Sequence, residues 1–256
     1  MALTYLWHQL HLHRKKIVGL TILLAAFLSQ PAWSQGQIKG QNLPGYEYKQ
    51  LRWGFSLGVN SSWYSLQHSR GYIDLIQSYQ TGQDSSFSVN GKSGIGFNVN
   101  FIASYRLNED FVLRLQPGVG YYSRGVEYKG HLEGPNSEET TLIQQVNTFS
   151  GEFPVLIKYE SLRRKNTQMY FIAGVKPVLV VGGQKKGQSD LLKVANSDFN
   201  IEIGVGLDMF YPYFKFAPEL RFSRGITNQH EPFNNIYNNS LQKLTTNAVT
   251  LYLNFE

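Results

Sequence analysis

The amino-acid sequence predicts an all-β protein, an eight-stranded antiparallel up-and-down transmembrane β-barrel of the outer-membrane type. Three observations carry the prediction. Eight segments alternate apolar and polar residues with period two, the connections between them alternate long and short, and the charged residues share the parity of the glycines, leaving the other face to Phe, Leu, Ile and Val. Composition agrees: the 256 residues are 42% hydrophobic, 16% charged and 14% aromatic, and outside the first forty residues no apolar run approaches the roughly 18 residues of a membrane helix. Cysteine is absent, which excludes a disulfide scaffold and a lipid-modified N-terminal cysteine alike.

The first 34 residues read as a secretory signal peptide. A basic triplet, Arg14-Lys15-Lys16, precedes an apolar run from Ile17 to Leu28, and Ala32-Trp33-Ser34 supplies a small-x-small cleavage site with cutting after Ser34. An N-terminal membrane anchor is the competing reading, and twelve apolar residues are too few to span comfortably. The triplet also carries half of the formal charge of +6; without it 21 basic face 18 acidic residues, a net of +3 that argues for no nucleic-acid or acidic partner. Residues 35–52, rich in Gly and Gln, have no clear period and read as an exposed periplasmic extension.

The barrel is expected over residues 53–256. Its first strand sets Trp53, Phe55, Leu57, Val59 and Trp63 against Gly54, Ser56, Gly58, Asn60 and Ser62. The second sets Ile95, Phe97, Val99, Phe101, Ala103 and Tyr105 against Gly94, Gly96, Asn98, Asn100 and Ser104. The third has Phe111, Leu113, Leu115, Val119 and Tyr121 opposite Arg114, Gln116, Gly118 and Gly120. In the fourth, Phe149, Phe153, Val155, Ile157 and Tyr159 oppose Glu152 and Lys158, and in the fifth, 169–181, Lys176 opposes Phe171, Val175 and Leu179. The sixth alternates Phe199, Ile201, Ile203, Val205, Leu207 and Met209 with Asn200, Glu202, Gly204, Gly206 and Asp208. The seventh sets Phe214, Phe216, Leu220 and Phe222 against Lys215, Glu219 and Arg221, and the eighth sets Val249, Leu251, Leu253 and Phe255 against Thr250, Tyr252, Asn254 and Glu256.

Long polar connections, 64–93, 126–141, 183–198 and 225–246, alternate with short ones, 106–110, 161–167 and 211–212. Short turns on one side and long loops on the other place the turns, and with them both chain ends, in the periplasm of a Gram-negative cell. A soluble barrel shares the period, so the wet parity decides: charges and glycines together suit the narrow interior of eight strands, and a nearly continuous apolar face suits lipid. Pro117, Pro154, Pro177 and Pro218 fall inside the proposed strands, where proline removes a ladder donor, so bulges or strand ends are expected near them.

Concentrated chemistry is confined to the inward charges Arg114, Glu152, Lys158, Glu202, Asp208, Lys215, Glu219 and Arg221. A gate or proton path is one reading; a structural ion network that fills and stiffens a small lumen is the favoured one. Gly118-Gly120 and Gly204-Gly206 lack the third glycine of a nucleotide loop and lie within strands. Beyond the leader the histidines, His68, His131 and His230, occupy separate loops, and Ser223 has none at a local motif spacing, so no catalytic, metal or cofactor site is expected. Arg163-Arg164-Lys165 and Lys185-Lys186 read as solvated turns, the first able to dock a periplasmic partner.

The run from Phe216 through Ala217, Pro218, Glu219, Leu220, Arg221, Phe222, Ser223 and Arg224 to Gly225, preceded by Gly204-Val205-Gly206-Leu207-Asp208 and followed by the ending from Leu251 to Glu256, resembles the PorT family of outer-membrane barrels. That family belongs to the type IX secretion machinery of Bacteroidota, which exports proteins and in many species supports gliding motility. The resemblance implies no catalytic residues. It marks Glu219, Arg221, Asp208 and Gly225 as a fold-defining lumen set, and other secretion components as partners. Phe255 suits the aromatic ending read by the barrel-assembly machinery, although Glu256 follows it. Two other readings stand beside this one: a small structural or adhesive barrel acting through its long loops, and a lipid-modifying barrel enzyme.

Overall fold

The computed structural model describes residues 40–69, 88–130, 140–182, 194–229 and 241–256. The signal peptide, His131, His230 and Lys185-Lys186 lie outside the described residues.

Among the described residues ten strands form one antiparallel sheet: β1 Leu51–His68, β2 Ser88–Arg106, β3 Phe111–Leu115, β4 Gly118–Gly130, β5 Thr140–Glu152, β6 Val155–Glu160, β7 Thr167–Gly182, β8 Ser197–Phe210, β9 Lys215–Gly225 and β10 Leu241–Phe255. β1 pairs with both β2 and β10, so the sheet closes on itself. β2 pairs with β3 and then β4, and β7 with β6 and then β5. β3 with β4, and β5 with β6, are therefore two halves of single staves. Ten strands make the eight staves expected.

The prolines explain the difference in count. Pro117 separates β3 from β4 and Pro154 separates β5 from β6, so both sit at strand ends. Their carbonyls still accept neighbouring amides: Phe101 N–H donates to Pro117, Gln116 N–H to Pro154 and Phe153 N–H to Pro177. Because N–H and C=O of a strand residue point to the same side, the nitrogen of Pro177 faces the break between β5 and β6, where no ladder donor is needed. Pro218 lies inside β9, where the ladder to β8 skips from Gly206↔Glu219 to Met209↔Phe216 without a change of register. A local gap, not a bulge, accommodates it.

The exterior is a band of exposed apolar side chains, among them Phe55, Leu57, Val59, Phe97, Val99, Phe171, Ile203, Val205, Leu220 and Leu251. Soluble monomers rarely expose so continuous an apolar surface. Outward rings pair across strands: Phe55 stacks on Phe255 at 5.0 Å, and Tyr121 lies 5.6 Å from Phe97 and 4.9 Å from Phe149. The interior is polar over most of its height and turns apolar at the loop end, where Tyr64, Val89, Val126, Val146 and Leu244 pack together. Large inward rings fit because glycine faces them. A Cβ on Gly206 would lie 2.2 Å from the Tyr170 ring, and one on Gly58 would lie 2.8 Å from Tyr252.

The described part of the extension departs in part from expectation. Pro44, Gly45, Tyr48, Lys49 and Gln50 stand exposed as expected, but Tyr46 and Arg52 are buried and tie the segment to the turn end of the barrel, and β1 begins at Leu51 rather than Trp53. Tyr46, in a short 3-10 turn, is buried, with the Phe210 ring at 6.1 Å and the Lys215 ammonium 5.3 Å from its centroid. Burial, reinforced by the nearby Glu256 carboxylate, pushes its phenol up. Arg163 clasps the segment by donating to the Asn42 carbonyl and, at 2.9 Å, to Glu47 Oε1. Asn42 Nδ2 in turn donates to the Phe210 carbonyl at 3.0 Å.

An outer face that meets lipid tolerates charge least at mid-height. Val205→Arg is expected to lower the stability of the refolded barrel in phospholipid vesicles by about 2–4 kcal/mol, while Gln67→Arg, at the loop end, changes it by about 0–1 kcal/mol. Denaturant titration of both variants checks this, and equal small losses would contradict the lipid-facing assignment.

Candidate functional site

The eight charged residues singled out in the sequence all project into the lumen and are at most 1% exposed. β3 supplies Arg114, β5 Glu152, β6 Lys158, β8 Glu202 and Asp208, and β9 Lys215, Glu219 and Arg221. Period-two alternation aims each of them inward, and the curvature of a small barrel brings side chains of non-neighbouring staves within reach.

Four more charges join them: Arg52, Glu160, Lys176 and Glu256. Six cations and six carboxylates then form one unbroken alternating series. At the turn end Arg52 meets Glu160 at 3.1 Å, Glu160 meets Lys158 at 2.9 Å, and Lys158 meets Asp208 at 2.5 Å. Asp208 leads to Lys215 at 3.7 Å, Lys215 to Glu256 at 2.7 Å, and Glu256 to Arg114 at 2.7 Å. Arg114 reaches Glu219 at 3.1 Å, and Glu219 accepts from Arg221. Arg221 continues to Glu202 at 2.9 Å, Glu202 to Lys176 at 2.8 Å, and Lys176 approaches Glu152 at 3.9 Å.

Neutral groups fill the remaining valences. Tyr170 donates to Glu219 at 2.8 Å, Arg221 Nη2 to Gln116 Oε1 at 2.9 Å, and Asn98 Nδ2 to Glu152 at 3.2 Å; Tyr122 also donates to Glu152. The Arg221 guanidinium lies 4.4 Å from the Tyr252 ring centroid and Lys158 lies 3.9 Å from that of Tyr170. Burial alone would push the Glu256 carboxyl up, but Lys215 and Arg114 beside it hold it well below the usual carboxylate range.

The residues of the seventh-stave motif divide by parity. Glu219 and Arg221 enter the series, Gly225 faces inward beside Thr246, and Leu220 and Phe222 are exposed on the outer band with Pro218 between them and Phe216. Phe255 packs outside against Phe55 and Phe216. The four missed charges did carry a signal. Lys176 and Glu256 already stand on the inward parity of the fifth and eighth strands though outside the charge set, Glu160 continues the parity of Lys158, and Arg52 that of Gly54; assigning residues 35–52 to an extension hid the last. Among the described residues no group of three His, Asp or Glu side chains is placed to hold a metal ion.

Residues 33–231 match the family model described as an outer membrane protein beta-barrel domain. The chain belongs to this family. An outer-membrane barrel must close every backbone hydrogen bond within the sheet, and the pairing of β1 with β10 does so. No curated protein matches the chain. Among solved structures, neisserial surface protein A aligns with 11% identity over 80% of this chain and 98% of its own, at a TM-score of 0.41. OprG of Pseudomonas aeruginosa aligns with 13% identity over 80% and 90%, at 0.40. Ail of Yersinia pestis, in complex with the heparin analogue sucrose octasulfate, aligns with 14% identity over 81% and 99%, at 0.35.

In this outer-membrane barrel the ion series occupies the middle of the interior, where a soluble protein has an apolar core. Breaking a buried pair by removing one partner leaves an uncompensated charge, which costs about 3–5 kcal/mol. Arg221→Met is expected to destabilise the detergent-solubilised barrel by that amount, read from urea unfolding, and the Arg221→Met/Glu219→Met double variant to recover part of it. A loss in the double variant equal to the sum of the two single-variant losses would show that the charges act independently.

Glu256 gives a pH signature. A carboxyl held below its ordinary value of 4.5 contributes stability that is complete above that value and is lost as pH falls through the lower folded-state value. The stability difference between wild type and Glu256→Gln should therefore be constant from about pH 5 to about pH 7 and shrink on acidification. A difference that grows toward low pH would contradict the pairing.

Proposed function

We propose that this chain is a non-enzymatic outer-membrane component of the type IX protein secretion machinery, acting as an assembly or support factor and not as a conduit. The observation that carries this reading is the unbroken, charge-balanced series filling the lumen. A protein passing through would have to separate buried ion pairs at about 3–5 kcal/mol each. Function then falls to the two ends and the outer wall, and the resemblance of residues 216–225 to the PorT family supplies the machinery these surfaces serve.

The turn end, facing the periplasm in this reading, offers the firmer surface. Residues 42–52 are clasped onto it, Tyr48, Leu162 and Tyr213 are exposed there, and Arg106, Arg163, Arg164 and Lys165 surround them. The described N-terminal segment and Glu256 both lie on that side, and other secretion proteins are the partners. The barrel-assembly machinery takes the chain through its last strand and Phe255. Lipid covers the outer band, and no nucleic acid is involved.

A second reading, a structural or adhesive barrel working through its long loops, is favoured by the loop-end extensions of β1 and β2. There Ser65, Gln67, Asn90 and Lys92 are exposed where the apolar band has ended. Deleting the gene separates the two. Loss of type IX cargo from the cell surface, together with recovery of secretion components when the tagged barrel is purified in mild detergent, is the expected result. Normal export with altered surface binding would replace the secretion reading with the adhesive one.

A further inference from the structure

Every fully buried charge of the lumen has an opposite partner within 4.0 Å, from Arg52 to Glu152. Near the loop end two charges are only half-buried and stand outside this pairing. Between the charged series and the apolar cluster lies a cavity of about 230 Å³ whose wall carries one guanidinium, Arg124 on β4, and one carboxylate, Asp198 on β8. Among the described residues neither makes a salt bridge, with the other or with a third group. Arg124 is held between two rings, 4.5 Å from the Tyr122 centroid and 5.6 Å from that of Tyr64, and its Nε has no hydrogen-bond partner. Beside it Thr148, 7% exposed, has a hydroxyl without a partner.

Asp198 is equally fixed. Its Oδ1 accepts the Phe199 N–H at 2.8 Å, and its Oδ2 is bonded to the Thr246 hydroxyl, which also lies 3.2 Å from Asn200 Oδ1. Gly225 keeps this corner open, since a Cβ there would lie 2.4 Å from Thr246 Oγ1 and 3.0 Å from Asp198 Oδ2. A third stretch of wall is aliphatic, formed by Val146, Val178, Val180 and Val194. Two opposite charges held apart by their own neighbours, flanking a void with an aliphatic wall, match a molecule that bears both charges on one small frame. The volume falls below the roughly 300 Å³ at which drug-sized pockets begin, which limits the guest to amino-acid size.

We propose that this chamber binds a small aliphatic α-amino acid, its carboxylate on Arg124 and Thr148, its ammonium on Asp198 and Asn200, and its side chain against the valines. The site lies outside the ion series that fills the lumen below it, so occupancy leaves the barrel's structural pairs intact. It also stands independently of the machinery the barrel serves.

Calorimetric titration of the full mature chain in detergent tests it with three probes: leucine, 4-methylpentanoate, which lacks the ammonium, and isopentylamine, which lacks the carboxylate. Leucine is expected to bind saturably at one site, and each analogue at least about ten-fold more weakly. Arg124→Met and Asp198→Asn should each weaken leucine by a similar factor, and Val180→Phe, which fills the chamber without touching either charge, should abolish binding. Unboiled gel mobility and the thermal transition establish that each variant is folded. Absence of leucine binding to the wild type, analogues that bind as well as leucine, or unchanged affinity in a folded Arg124→Met variant would each overturn the proposal.

Discussion

Twelve ionised side chains are held inside this protein only because each finds its opposite. A carboxylate or ammonium moved alone from water into a low-dielectric interior loses several kcal/mol, and a single mismatch in the series would leave that loss uncompensated. The rest of the architecture follows from meeting this constraint. Glycines at inward positions of β1, β4 and β8 make room for Tyr252, Tyr122 and Tyr170, and the tyrosines supply ring faces and hydroxyls where a second ion would be one too many. Glu256, just beyond the last strand, turns inward to join Arg114 and Lys215.

The outer wall is governed by the opposite requirement. Lipid offers no hydrogen bonds, so the sheet must close and its exposed side chains must be apolar. Closure fixes the register of every strand, and register fixes which residues meet inside. The prolines show how the two demands are reconciled. Pro117, Pro154 and Pro177 sit diagonally on three successive staves; the missing donors of Pro154 and Pro177 face breaks in the neighbouring stave and that of Pro117 faces the continuous β2, while their carbonyls keep accepting from Gln116, Phe153 and Phe101. The ladder is interrupted once along a line, not three times at random.

Along the axis the interior changes character in a way that bears on function. The turn end is sealed by residues 42–52 and the Tyr46 ring, the middle by the ion series, and the loop end by the cluster around Val126 and Leu244. Between the last two lies the chamber of Arg124 and Asp198, where opposite charges face a void instead of each other. In the proposed function a barrel so filled works through its ends and its wall and not its bore.

Much of this was legible in the sequence, because a barrel wall is a period-two object and period two can be counted residue by residue. The closed β class, the eight staves, the apolar outer face and the inward direction of Arg114, Glu152, Lys158, Glu202, Asp208, Lys215, Glu219 and Arg221 all follow from parity, which is local. What parity cannot give is the partner. That Arg114 on β3 meets Glu219 on β9, that Lys158 on β6 meets Asp208 on β8, and that Glu256 lies between Lys215 and Arg114 are set by the stagger and curvature of the closed sheet, which join residues up to 142 positions apart. The return of residues 42–52 over the turn end was hidden for the same reason: an aperiodic segment has no pattern of its own, and only the closed barrel supplies the surface that orders it. Sequence alone determined which side of the wall each residue would face; tertiary structure decided which charges would cancel and which two, Arg124 and Asp198, would be left facing a space.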